Sequence, residues 1–191
     1  MMKPLAAGIA FLSFLTACQT APGPVASGPV PSVETKSDLP APVSLDGVFG
    51  GKPVSYTVQI ECIAVQSGVG NKGADIVSVS YTASLPESAS ARPVLFVFNG
   101  GPISASLYLH IGAVGPVRLA VPDDLAADPA AFELVPNPYS PLDAADLVFF
   151  DPASTGLSRV ADGVDPAVYA SVQEDAAQFV AFAEAWLDRH G

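Results

Sequence analysis

PVLFVFNGGPISAS, residues 93–106, is the stretch on which the fold turns. Val94, Leu95, Phe96, Val97 and Phe98 are continuously apolar, which suits a strand buried on both faces of a parallel sheet better than one with a wet face. Asn99-Gly100-Gly101-Pro102 then stops the strand. A Gly-Gly pair lets the backbone turn sharply and come close to another group, and the residues after it can open a helix. Active sites collect at the carboxyl ends of strands in such sheets, so this turn is the first candidate for function.

Upstream, residues 54–60 and 76–85 each alternate apolar and polar side chains, which predicts an antiparallel hairpin with one buried face. Gly68, Gly70, Asn71 and Gly73 supply its turn. Downstream, residues 104–111 have room for one or two helical turns, ended by Gly112, Gly115 and Pro116. Residues 117–121 and 132–135 read as short strands around an acidic loop at Asp123, Asp124 and Asp128, and residues 137–141 as a turn. Leu147-Val148-Phe149-Phe150 is a second buried strand, ending in Asp151-Pro152. Asp165-Pro166 reads as a helix start, with a capping carboxylate and proline at the first helical position. From there Val168, Val172, Ala176, Phe179, Val180, Ala183, Trp186 and Leu187 mark one apolar face of a helix running to the end of the sequence. Such a face needs a sheet to cover, so the expected class is α/β: a sheet with an antiparallel hairpin at one edge and a long C-terminal amphipathic helix.

The 191 residues are 50% hydrophobic and 14% charged, enough for one domain with a core and too apolar for wholesale disorder. Part of that excess sits at the start. Met1-Met2-Lys3 is a short basic beginning, residues 5–15 are apolar but too few to span a bilayer comfortably, and Leu15-Thr16-Ala17-Cys18 follows. The order of these features resembles a bacterial lipoprotein signal peptide. The resemblance implies cleavage before Cys18, lipidation of its thiol and a membrane anchor outside the cytoplasm. Gln19 resembles outer-membrane sorting, giving a cell-envelope location that faces the periplasm. An ordinary secretory signal with an incidental Cys18 is the simpler alternative.

The expected organisation is thus a signal peptide at 1–17, a proline-rich tether at 18–46 and a folded part at 47–191. Pro22, Pro24, Pro29, Pro31, Pro40 and Pro42 would keep the tether extended. The formal charge of −11, or −12 once Lys3 is removed, makes nucleic acid or an anionic membrane surface a poor partner. A lipidated Cys18 leaves Cys62 without a disulfide partner, and among Ile60, Ile63 and Val65 it reads as a small hydrophobe in a strand. His110 and His190 have no cysteine or carboxylate at metal-site spacing, so no metal or other cofactor is expected.

Four blocks in order, Asn99-Gly100-Gly101-Pro102, Gly112-Ala113-Val114-Gly115-Pro116, Asn137-Pro138-Tyr139-Ser140 and Phe150-Asp151-Pro152 with Gly156-Leu157-Ser158, resemble the N-terminal part of the serine carboxypeptidase family of α/β hydrolases. The similarity runs from about Pro93 to the last residue. It implies an acyl-transfer enzyme that removes residues from peptide C-termini with a Ser-Asp-His triad. It also implies that Gly101 offers its backbone N–H to the oxyanion, that Gly100 allows close approach, and that Asn99 binds the substrate's terminal carboxylate. One pre-aimed oxyanion donor is worth about 3 kcal/mol of barrier, which is why a Gly-Gly turn suits that role. A plain tight turn is the bland alternative.

The sequence departs from the family in three places. Ile103 stands where the family usually has glycine, and Ala113 where many relatives have a glutamate that helps hold the carboxylate. No G-x-S-x-G nucleophile elbow occurs anywhere, since Gly156-Leu157-Ser158-Arg159-Val160 lacks its last glycine. Ser104, Ser106 or Ser158 with His110 could be offered as a substitute dyad, but ordinary loop serines and a core or helix-surface histidine account for them better. The expectation is therefore a partial α/β-hydrolase domain that stops before its nucleophile and is inactive alone. The alternative is a non-catalytic, membrane-tethered binding lipoprotein.

Overall fold

The computed structural model describes residues 39–67, 72–86, 88–99, 104–124, 126–128, 130 and 132–191. Cys18, the turn residues Gly68, Gly70 and Asn71, and Gly100, Gly101, Pro102 and Ile103 lie outside them. Strands β1 (Val43–Phe49), β2 (Lys52–Ser67) and β3 (Lys72–Ala83) form an antiparallel meander. Val43 to Asp46, the end of the proline-rich stretch, are the first residues of β1. Gly50 and Gly51 join β1 to β2 with φ of 56° and 78°, the positive pair that a two-residue hairpin turn requires. Gly73 is a paired residue of β3, opposite Gln66, rather than a turn residue.

The chain continues through β4 (Val94–Val97), α1 (Leu107–Leu109) with a π-helical turn at His110–Val114, β5 (Val117–Ala120), β6 (Glu133–Pro136), β7 (Asp146–Phe150), β8 (Arg159–Val160) and α2 (Val172–His190). The main sheet has the order β1-β2-β3-β7-β4, with β8 on the early part of β3. β4 and β7 run parallel and the other pairs are antiparallel, while β5 and β6 form a separate two-stranded ribbon. The class is α/β with a mixed sheet, and the antiparallel strands gather at one side as the alternation predicts. Among the described residues no helix is long and apolar enough to cross a membrane.

Two sequence expectations are corrected. β4 is not buried on both faces: it pairs only with β7 among the described strands, and Leu95 is 41% exposed. The strand closed on both faces is β7, where Leu147, Val148, Phe149 and Phe150 are all at most 1% exposed between β3 and β4. The long helix does not begin at Asp165-Pro166. Asp165 caps a single 3-10 turn, Pro166–Tyr169, by accepting from Ala167 N, and Ser171 is extended. The Ser171 hydroxyl then accepts from Glu174 N to start α2, with Glu174 and Asp175 in its first turn and Arg189 and His190 in its last, matched to the helix dipole.

α2 covers one face of the sheet, where Phe182 and Trp186 pack with Ile63, Val65, Ile76, Val148 and Phe150. On the other face Phe49, Tyr56, Tyr81, Val97, Leu142, Leu147 and Phe149 form a second core, joined by Leu109 and Val114 from α1 and the π turn. Asp146 ties β7 to the neighbouring segments: its Oδ1 accepts from Ala83 N and from Arg92 Nε, both at 3.0 Å, while Arg92 Nη2 donates to Leu142 O at 2.6 Å. The approach to β4 is thereby fixed at its first residues.

Candidate functional site

The parallel pair β4 and β7 sends two polar residues past its carboxyl end, Asn99 and Asp151. Asn99 is half-buried and its Oδ1 accepts from Leu109 N at 3.4 Å, so the residue before Gly100 is tied to the last residue of α1. Asp151 holds the other end of that helix. Its Oδ1 accepts from Ser106 N at 2.8 Å and from Ser106 Oγ at 2.9 Å, and its Oδ2 from Leu157 N at 3.2 Å. Hydrogen bonds to a charged acceptor are worth about 1.5–3 kcal/mol each, so this carboxylate anchors both the entry to α1 and the loop after β7.

Two of the three serines weighed as nucleophiles, Ser106 and Ser158, are engaged in other bonds. Ser106 donates to Asp151, and Ser158, fully buried, donates to Asp151 O at 2.6 Å while accepting from Val77 N at 2.8 Å. His110 Nε2 lies 2.6 Å from the Tyr81 hydroxyl. Ser106 and Ser158 therefore serve Asp151, and His110 serves Tyr81.

Asn137 and Ser140 shape the next loop, a role not contained in the sequence reading of residues 137–141 as a turn and of residues 137–140 as a family block. Asn137 is 1% exposed, and its Nδ2 donates to Ala113 O at 2.8 Å and Gly115 O at 2.9 Å. Ser140 Oγ donates to Val114 O at 2.8 Å. Three consecutive carbonyls are thus turned toward one buried side chain and its neighbour. Ala113 is exposed on the outer side of this loop, and a side chain at Gly112 would meet nothing within 4 Å. The signal available in the sequence was an asparagine before proline followed by serine, a short polar pair able to satisfy backbone groups.

Burial lowers the His110 imidazole below its ordinary 6.5, with the negative charge of Asp151 opposing that shift. Burial, and secondarily Tyr56, pushes the Tyr81 phenol up to about 12. Tyr56 is raised as well, by burial first and Asp46 second. Tyr56 and Tyr81, with Val43, Leu45, Val58 and Pro116, also line an apolar cavity of about 320 Å³ on the meander. Cys62 lies half-buried on β2. Among the described residues no three His, Cys, Asp or Glu side chains gather as metal ligands.

Of the residues named from sequence, Asn99 stands at the carboxyl end of β4 against α1, while Gly100, Gly101 and Cys18 fall outside the described residues. A family model described as serine carboxypeptidase matches residues 81–191. No curated protein matches the chain.

Proposed function

Because this chain belongs to the serine carboxypeptidase family, we propose that its 191 residues supply the anion-handling part of a serine-type carboxypeptidase site and that the nucleophile is not among them. The observation that carries this reading is the orientation of Asn99. With Oδ1 turned to Leu109 N, the amide presents its NH2 donors on its other side, the polarity that a peptide's terminal carboxylate needs. Gly101, two residues on, would give its backbone N–H to the developing oxyanion, and Gly100 would let the acyl group approach the chain. Neither requires a cofactor. The absence of a G-x-S-x-G elbow from the sequence leaves the hydroxyl attack and its Asp and His partners without residues here.

Two measurements test this. The chain is expected to show no burst and no turnover with C-terminal peptide substrates, and no labelling by a fluorophosphonate. A titratable serine hydrolase activity would overturn the reading. A peptide with a free C-terminus is expected to shift the Asn99 side-chain amide signals in NMR while its C-terminally amidated twin does not. Equal responses would remove the carboxylate role from Asn99.

The envelope placement belongs to the same proposal and rests on Leu15-Thr16-Ala17-Cys18. Expressed in bacteria, the chain is expected to incorporate an alkyne-tagged fatty acid and to lose it on Cys18→Ala. Label that persists in C18A, or none in the parent chain, sinks the lipid anchor. A non-catalytic binding lipoprotein remains the alternative to an enzyme part, and binding of the free-carboxylate peptide without hydrolysis is common to both.

A further inference from the structure

We propose that His110 is a positioning residue for Asn99: the Tyr81–His110 bond clasps α1 and the π turn to the sheet, and proton uptake at His110 reverses the donor in that bond and moves the Asn99 amide. No motif of the sequence points to this pair, which joins residues 29 apart.

The geometry places His110 at the switch from α to π winding. Its N–H donates to Ser106 O at 2.9 Å and its carbonyl accepts from Gly115 N at 2.9 Å. A side chain at Gly115 would lie 2.2 Å from that carbonyl, so the turn closes only around glycine. Neither α1 nor the π turn buries a residue fully. Beside Leu109 and Val114, which pack on the second core, the His110 ring is a further tie to the sheet: it stacks on Phe149 at 4.2 Å and 19° and meets Tyr81 edge-on at 5.4 Å. Leu109, the preceding residue, is the one that donates to Asn99. A shift of His110 is transmitted to Asn99 across one peptide unit and one hydrogen bond. π-Turns inside helices recur at functional sites, because one extra residue re-aims the neighbouring side chains.

The proton decides the bond. The device requires the neutral tautomer with its hydrogen on Nδ1, so that the Nε2 lone pair accepts from the Tyr81 hydroxyl, whose high pKa keeps it a phenol at any working pH. When a solvent proton adds to Nε2 the ring becomes the donor and the phenol oxygen the acceptor, so the bond reverses and the phenol hydrogen must turn away inside a buried space. The titratable groups facing the ring are Tyr81 from β3, with Tyr56 from β2 behind it, and Asp151 after β7. From β7 itself comes only the Phe149 ring. Asp151 favours the proton, burial disfavours it, and burial is the larger influence. Because the folded value lies below 6.5, the unfolded chain takes up this proton first as pH falls. The stability that neutral His110 contributes is then present above about pH 6.5 and declines below it.

What the clasp does to a substrate rests on the reading of Asn99 above, whereas the clasp itself can be followed without any substrate. The 15N/13C-labelled 191-residue chain is titrated by NMR from about pH 8 to about pH 5, across the range where histidine changes charge. The His110 ring signals are expected to titrate below 6.5, with the Asn99 side-chain amide pair moving at the same midpoint. His110→Gln, which keeps an acceptor and cannot titrate, is expected to hold the Asn99 signals at their high-pH positions throughout. Tyr81→Phe is expected to move the His110 midpoint, since the partner whose bond the proton reverses is gone. Asn99 signals that stay still through the His110 titration overturn the proposal. So does a pH response that survives H110Q, or an unchanged His110 midpoint in Y81F, which keeps the test alive if H110Q does not fold. A clasp that responds in a chain whose Asn99 ignores peptide carboxylates would leave the device standing and remove only its meaning for substrate.

Discussion

Gly156→Ala is expected to cost about 4 kcal/mol of folding stability, well above what backbone strain alone would take. Gly156 has φ +48°, and a Cβ there would lie 1.8 Å from Asp151 Oδ2. Left-handed backbone costs an ordinary residue roughly 1–2 kcal/mol. The remainder comes from Asp151, which cannot move aside without weakening its bonds to Ser106 N, Ser106 Oγ and Leu157 N. Charge-assisted bonds of this kind are worth about 1.5–3 kcal/mol each. Gly163 is the built-in control: its φ is +79° but nothing lies within 4 Å of its would-be Cβ, so Gly163→Ala is expected to lose only about 1–2 kcal/mol. Urea unfolding of both variants checks this. The midpoint of G156A should fall much further than that of G163A with m unchanged, and equal losses would show that Asp151 yields freely. The effect also reaches the site, because Asp151 holds the entry to α1, whose last residue donates to Asn99.

The reading of Val94 to Val97 as a strand carried because its signal is local. An apolar run acts on the residues that contain it. β7 and the long alternating hairpin were legible for the same reason. What stayed hidden depends on residues distant in sequence. The exposure of Leu95 follows from which strand lies beside β4, and no feature of β4 itself records that. Asp151 read as the end of a strand, while its partner Ser106 is 45 residues earlier. Asn137 read as a turn former, and its two carbonyl partners lie 24 and 22 residues before it. Tyr81 and His110 were each ordinary in their own windows, one an alternating strand position and the other a lone histidine. Their meeting over Phe149 is a product of the sheet order.

The helix face is the sharpest case, and Phe182→Ala against Val180→Ala puts it to the test. Counting apolar positions gave a stripe through Val172, Val180 and Leu187, yet these are 82%, 51% and 42% exposed. The buried row is Glu174, Gln178, Phe182 and Trp186, spaced by four. Two polar residues in that row disguised it. Gln178 is 1% exposed because its Oε1 accepts from Ala153 N at 2.7 Å and its Nε2 donates to Asp175 Oδ1 at 2.9 Å, so an amide fixes the helix to the loop after β7. Residues 180 and 182 are two apart, and at 3.6 residues per turn they point to nearly opposite sides. Phe182 is 0% exposed, with its ring 4.8 Å from Phe150 and 6.2 Å from Phe96. Its removal leaves a cavity against the sheet and is expected to cost about 3–5 kcal/mol. Val180→Ala removes half-exposed methyls and is expected to stay within about 0.5 kcal/mol. Thermal or urea denaturation separates the two by several kcal/mol if the row through Phe182 faces the sheet. A larger loss for V180A would mean that the helix is rotated by about half a turn, with its tie from Gln178 to Ala153 broken.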